Sequence, residues 1–192
     1  GVTTTRTFDG LGRTLTETVA GETTSYAYDA QGRETEVTSP DGKVTTRTYD
    51  LGGRLVSETV DDGAGGLALT TTHTYDALGR VLTTTGPDGV VTTATYDRTG
   101  RQTRSVIDGT TITDTSYDRA GNTLSVAGPY PSGGTAAPVS TISYDPLDRA
   151  RVQVANDVSG SSAPGTNLTT TTHYDAAGTA LAVVDPAGVV AR

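Results

Sequence analysis

Short runs of residues with period-two character recur along the whole chain, each cut off by a turn signal. One kind is Thr-rich, such as Val44 to Tyr49 or Thr70 to Tyr75, and runs into an aromatic–Asp dipeptide. The other is mixed, such as Leu55 to Val60 or Val81 to Thr85, and ends at Pro40-Asp41-Gly42, Pro87-Asp88-Gly89, Asp108-Gly109 or Pro186-Ala187-Gly188. β-branched runs of this length, bounded by Gly, Pro and Asp, predict strands. No stretch has helical periodicity. Thr falls on both sides before the aromatic, with Thr45, Thr71 and Thr92 on one and Thr46, Thr72 and Thr93 on the other. Tyr is expected on one face and the column Leu15, Val56, Leu82, Leu124 and Leu181 on the other. Neither face is densely apolar, which predicts a thin wall wetted on both sides rather than a tight sandwich or small closed barrel.

The strands belong to a repeat. The dipeptide occurs eight times, as Phe8-Asp9, Tyr28-Asp29, Tyr49-Asp50, Tyr75-Asp76, Tyr96-Asp97, Tyr117-Asp118, Tyr144-Asp145 and Tyr174-Asp175, at spacings of 20, 21, 26, 21, 21, 27 and 30 residues. Four residues after the aromatic stands Gly in seven copies (Gly12, Gly32, Gly53, Gly79, Gly100, Gly121, Gly178), with Asp148 in the other. Arg follows in six (Arg13, Arg33, Arg54, Arg80, Arg101, Arg149), replaced by Asn122 and Thr179 in two. Asp-x-x-Gly suits a type I turn whose Gly supplies the left-handed residue of a three-residue hairpin loop. Asp29 then faces Arg33, and Asp76 faces Arg80, as exposed pairs whose value is mainly in fixing register. The longer spacings come from Gly-, Ser- and Pro-rich stretches at the second turn, Asp61 to Gly66, Pro129 to Pro138 and Ser159 to Asn167, read as loops on one edge.

Composition narrows the function. The 192 residues hold no Cys, Met or Trp, which excludes disulfides and thiolate metal sites. Thr leads with 40 copies and Gly follows with 24, while Val, Leu, Ile and Phe together reach only 35, too few for a conventional enzyme core. The pattern starts at Gly1 and stops at Arg192 in mid-repeat, which reads as a segment of a longer chain; no targeting signal or membrane span is visible.

The unit Tyr-Asp-x-x-Gly-Arg, seen without a gap at Tyr28 to Arg33, Tyr75 to Arg80 and Tyr96 to Arg101, resembles the YD repeat of the rearrangement-hot-spot (Rhs) family. The resemblance covers essentially the whole chain and weakens in the last two copies. It implies a β-ribbon that spirals into a hollow shell. Bacterial members are secreted or surface polymorphic toxins, wall-associated proteins and toxin-complex components whose shell encloses a C-terminal toxin; animal teneurins use a similar shell in adhesion. The family's shell ends in an aromatic-rich region with a self-cleaving Asp-Pro site in many members. Asp185-Pro186-Ala187-Gly188 shares only the Asp-Pro and reads as an ordinary repeat turn.

Catalytic and cofactor chemistry find little to work with. Eight carboxylates belong to the repeating column, and Asp61-Asp62-Gly63 lacks the ligand spacing of a calcium loop. His73 and His173 precede their Tyr by two and one residues, so they face opposite sides. Lys43 is the single lysine, and no phosphate loop or nucleophile–base constellation is present. A pI near 4.6 with scattered basic residues argues against nucleic acid. Asn167-Leu168-Thr169 is a glycosylation sequon only in a eukaryotic secretory pathway. Two rivals remain: surface glycans stacking on the Tyr column, and an ice-binding or filament-forming Thr surface.

The expectation is therefore an all-β array of eight YD repeats over residues 1–192 without internal boundary, built of about sixteen sequential antiparallel strands in one curved, spiralling sheet. It is expected to be non-catalytic, free of cofactors and metals, and secreted or on a cell surface. Its partners are further repeats of the same chain or identical chains, with an enclosed toxin domain or surface glycans beyond them.

Overall fold

The computed structural model describes residues 1–62, 66–132, 139–157 and 168–191. Contacts divide the chain into two compact units, Gly1–Val91 and Thr92–Arg192. All regular structure among the described residues is β. The first unit holds β1 (Thr4–Phe8), β2 (Thr14–Val19), β3 (Glu22–Tyr28), β4 (Glu34–Thr38), β5 (Val44–Tyr49), β6 (Leu55–Asp61), β7 (Leu69–Tyr75) and β8 (Val81–Thr85). At the division begins β9 (Val91–Tyr96). The second unit continues with β10 (Gln102–Ile107), β11 (Thr111–Tyr117), β12 (Thr123–Pro131), β13 (Val139–Tyr144), β14 (Ala150–Asp157), β15 (Leu168–Tyr174), β16 (Ala180–Val184) and β17 (Val190–Ala191). Within each unit every strand pairs antiparallel with the next in sequence. The sequential hairpins expected from the repeat are thus the fold; the strand beyond sixteen is the two-residue β17.

Each hairpin of the motif closes in the same way. The Asp29 amide donates to the Arg33 carbonyl at 2.9 Å and the Gly32 amide to the Asp29 carbonyl at 3.0 Å, and the same two bonds recur from Asp9 to Asp175. The motif glycines have φ between +81° and +104°, where a Cβ is strained, so Gly is required by conformation. Past the turn the register slips by one: Ala27 faces Glu36 but Tyr28 faces Glu34, leaving Thr35 as a bulge residue. The same slip leaves Leu15, Val56, Leu82, Leu124 and Leu181 unpaired in their ladders. That column is therefore a bulge position, and strict alternation from the Tyr face does not carry through it.

Two of the expected loops are corrected by the strands. Asp61 closes β6 opposite Val44. Pro129 to Pro131 belong to β12, with Tyr130 facing Ile112 and Pro131 facing Thr111. Proline is tolerated there because Gly128 makes a bulge, at φ +119°, against the Ile112 carbonyl; a Cβ on Gly128 would lie 2.5 Å from that oxygen. The remaining parts of the three long second turns, 63–65, 133–138 and 158–167, lie outside the described residues.

No described hydrophobic side chain is buried in either unit, as the sparse aliphatics foretold. Register sorts the two faces further than the sequence pattern does. In the first unit the Tyr face carries Arg6, Phe8, Glu17, Tyr26, Tyr28, Arg47, Tyr49, Glu58, His73 and Tyr75. The other face is mostly hydroxyl, with Thr5, Thr7, Thr16, Thr18, Thr23, Ser25, Thr38, Thr46, Thr48, Ser57, Thr59, Thr70, Thr72, Thr74, Thr83 and Thr85 around Ala27, Glu36, Val44 and Asp61. Facing threonines bond each other there, Thr7 with Thr16 at 2.6 Å and Thr74 with Thr83 at 2.7 Å. Thr45 and Thr71 do lie on the Tyr face, as expected.

Candidate functional site

Along the hairpin edge of each unit the motif side chains join into a ladder. The turn places Asp29 Oδ1 within 2.9 Å of the Gln31 and Arg33 amides, which it accepts. Its Oδ2 accepts Nε of Arg33 at 2.6 Å. So oriented, the guanidinium points away from its own hairpin. Nη1 donates to the Asp50 carbonyl of the next repeat at 3.0 Å, and the guanidinium carbon lies 4.7 Å over the Tyr49 ring. Tyr49 returns the connection through its hydroxyl, which donates to the Glu34 carbonyl at 2.8 Å. One arginine thus closes its own turn and clamps its neighbour's.

The same clamp recurs. Arg13 reaches the Asp29 carbonyl and covers Tyr28; Arg54 reaches the Asp76 carbonyl and covers Tyr75. In the second unit Arg101 reaches the Asp118 carbonyl over Tyr117, and Arg149 the Asp175 carbonyl over Tyr174. Arg80 pairs with Asp76 at 2.6 Å. Tyrosine hydroxyls of Tyr28, Tyr75, Tyr117, Tyr144 and Tyr174 each bond a carbonyl in the preceding repeat. Phe8 lacks that hydroxyl, and Thr179 and Asn122 lack the guanidinium. Sequence reasoning places the Asp–Arg pair at the hairpin base but misses the forward reach. What it shows as a local register device is also a connection between repeats, with the ring and guanidinium stacked rather than set apart.

The charges follow the geometry. The Asp9, Asp50 and Asp76 carboxyls are held below the usual carboxylate range, first by the backbone amides of Arg13, Arg54 and Arg80 and then by their guanidinium groups. Partial burial pushes Asp29 and Asp145 the other way, but the amides and guanidinium groups of Arg33 and Arg149 outweigh it. Asp97 is lowered first by the Thr99 hydroxyl, and Asp118 by the Asn122 side chain. Away from the ladder, Arg47 bridges Glu34 and Glu58, and Arg104 forks onto Asp114, which also accepts the Tyr130 hydroxyl. His73 bonds Thr84 across one seam. A surface hollow of about 230 Å³ is lined by the ladder residues Asp145, Arg149 and Tyr174 together with Arg151, Thr172 and His173. Among the described residues no three His, Asp or Glu side chains gather as metal ligands, and no helix is long and apolar enough to cross a membrane.

The RHS Repeat family model matches residues 8–44, 28–65 and 75–113, together just over half of the chain, and each match starts on a motif aromatic, Phe8, Tyr28 or Tyr75. The chain belongs to the RHS repeat family. Solved structures place this RHS repeat array in a known architecture. It resembles the crystal structure of TcdB2-TccC3-Cdc42 with a TM-score of 0.72 at 19% identity, over 94% of this chain and 11% of that one. The Photorhabdus luminescens Tc holotoxin pore, carrying a TccC3 mutation, matches with a TM-score of 0.69 at 19% identity, over 92% and 11%. TcdB2-TccC3 without its hypervariable C-terminal region matches at 0.59 and 18%, over 95% and 11%. At these identities the likeness shows the fold, and the chain spans about a tenth of the length of the solved chains it matches. No curated protein sequence matches it.

Proposed function

We propose that this RHS repeat segment is non-catalytic wall material of a secreted or surface YD-repeat protein, part of a ribbon that spirals into a hollow shell around a C-terminal toxin. The observation that carries the reading is the ladder itself. The Asp, Gly and Arg columns close turns, and the described Arg and Tyr side chains fasten one repeat to the next: Arg13, Arg33, Arg54, Arg101 and Arg149 reach forward, and Tyr28, Tyr49, Tyr75, Tyr117, Tyr144 and Tyr174 reach back. Strands with no buried hydrophobic layer among the described residues of either unit suit a wall between two wet spaces. The Tc toxin structures that share the fold point to the same setting. Glycan binding is the weaker alternative, because the rings of Tyr28, Tyr49, Tyr75, Tyr117 and Tyr174 carry a guanidinium over one face, where a sugar would stack. The test is electron microscopy and limited proteolysis of the full native protein. A hollow shell with a protease-resistant C-terminal domain inside supports the reading. A filled or open particle whose C-terminal domain is cut at the rate of a free domain overturns it.

A further inference from the structure

The clamps of Arg13, Arg33, Arg54, Arg101 and Arg149 share one arrangement. A Cβ added to the receiving glycine would lie 3.6 to 4.0 Å from the incoming Nη1 at Gly32, Gly53, Gly79, Gly121 and Gly178. A bare Cβ would thus sit in ordinary contact with its neighbour's guanidinium, and only a longer side chain would compete for the guanidinium's place; the positive φ is what calls for Gly itself. The link between the sixth and seventh repeats breaks both rules together: Asn122 stands in the Arg column and Asp148 in the Gly column. Asn122 is three bonds shorter than Arg and does not reach the next backbone. Its Nδ2 instead donates to Asp118 Oδ2 at 2.9 Å and to Asp148 Oδ1 at 3.0 Å.

We infer that Asn122 and Asp148 are an exchanged pair, in which the later repeat reaches back to the earlier one, and that the seam they fasten, between β12 and β13, opens more readily than the guanidinium-clamped seam between β10 and β11. With no guanidinium arriving, the space beside residue 148 admits a side chain, and Asp148 uses it. The cost is conformational: Asp148 holds φ at +59°, a region that Asp tolerates better than most residues but Gly occupies freely. The link is also thinner. Tyr144 keeps its hydroxyl bond to the Thr123 carbonyl at 2.9 Å, but no cation covers its ring among the described residues. A neutral amide shared between the carboxylates of Asp118 and Asp148 replaces a charged fork, a stacked ring and a backbone acceptor.

Native-state hydrogen exchange on the 192-residue chain tests this. Amides of Val126 and Ser140 are expected to exchange about tenfold faster than those of Ser105 and Thr113. The double variant N122R/D148G rebuilds the common clamp and is expected to slow exchange at the β12–β13 seam about tenfold, leaving β10–β11 unchanged. Each single variant does less than half of this on a logarithmic scale, since N122R leaves the Asp148 side chain in the guanidinium's place and D148G leaves Asn122 with Asp118 alone and no acceptor in the next repeat. Equal exchange at the two seams of the unaltered chain overturns the inference. So does a double variant whose effect is the product of the two singles, because independent sites are not an exchanged pair.

Discussion

Removing one clamp puts a number on the ladder. Arg33→Ala deletes the hydrogen bond from Nη1 to the Asp50 carbonyl and the stacking on Tyr49, while Asp29 keeps its two turn amides. A charged donor on a half-buried carbonyl contributes about 1.5 kcal/mol, taking the low end because Arg33 remains 27% exposed. The guanidinium over the ring adds about 0.5–1 kcal/mol. The expected loss is about 2 kcal/mol, and with a urea slope of about 2 kcal/mol per molar the midpoint should fall by about 1 M. Arg33→Lys keeps the charge but neither the planar fork nor the stacking, so it should recover less than half of the loss. Arg6→Ala is the internal control: its pairing with Glu17 lies across one hairpin and is half exposed, and its removal should cost less than about 0.5 kcal/mol. The assay is urea denaturation followed by circular dichroism. A midpoint shift for Arg33→Ala below about 0.3 M, no larger than that of Arg6→Ala, or a Lys variant equal to the unaltered chain, would refute the clamp as the coupling between repeats.

Three further outcomes follow from the same contacts. Tyr49→Phe removes one hydroxyl bond to the Glu34 carbonyl and keeps the ring under Arg33, so it should cost about 0.5–1.5 kcal/mol, clearly less than Arg33→Ala in the same urea titration. Gly32→Val forces a β-branched residue to φ +84° beside Arg13 Nη1 and should cost about 1–3 kcal/mol, measured as a drop in thermal midpoint; a neutral result would mean the turn adopts another conformation. Stability should hold from pH 7 down to about 5 and then fall below about 4. The turn carboxylates have folded values below the unfolded 3.8, so their contribution is complete above that value and is lost as pH drops through the lowered ones. A midpoint already falling between pH 7 and 5 would show that other groups dominate.

Much of this molecule is legible in its sequence because the informative interactions are local. Asp-x-x-Gly fixes a turn within five residues, and Gly12 to Gly178 sit at the positive φ the spacing demands. Strand order follows because each hairpin can only pair with what its turns bring back. What stays hidden is whatever depends on reach. Arg33 and Asp50 are 17 residues apart, and nothing in a 21-residue period says that the guanidinium reaches forward as well as resting on Asp29. The one available sign is that Arg and Gly are lost in adjoining repeats, at Asn122 and Asp148, which are joined in space. Bulges are equally silent: Leu15 and Leu82 look like an alternating column until the ladder skips them. Pro129 and Pro131 look like loop until Gly128 makes room for a bulged strand.

The clamp points one way. Each arginine finishes its own turn with atoms of its own repeat, but its outer nitrogen and flat face are satisfied only by the carbonyl and ring of the repeat that comes after. Chain synthesis also runs in that order. A newly made repeat therefore arrives with a finished hairpin and an empty hand, and the next repeat to emerge is the one that fills it. Each repeat thus supplies the acceptor and ring that the repeat before it lacks, and the fastening runs along the array in the direction of synthesis.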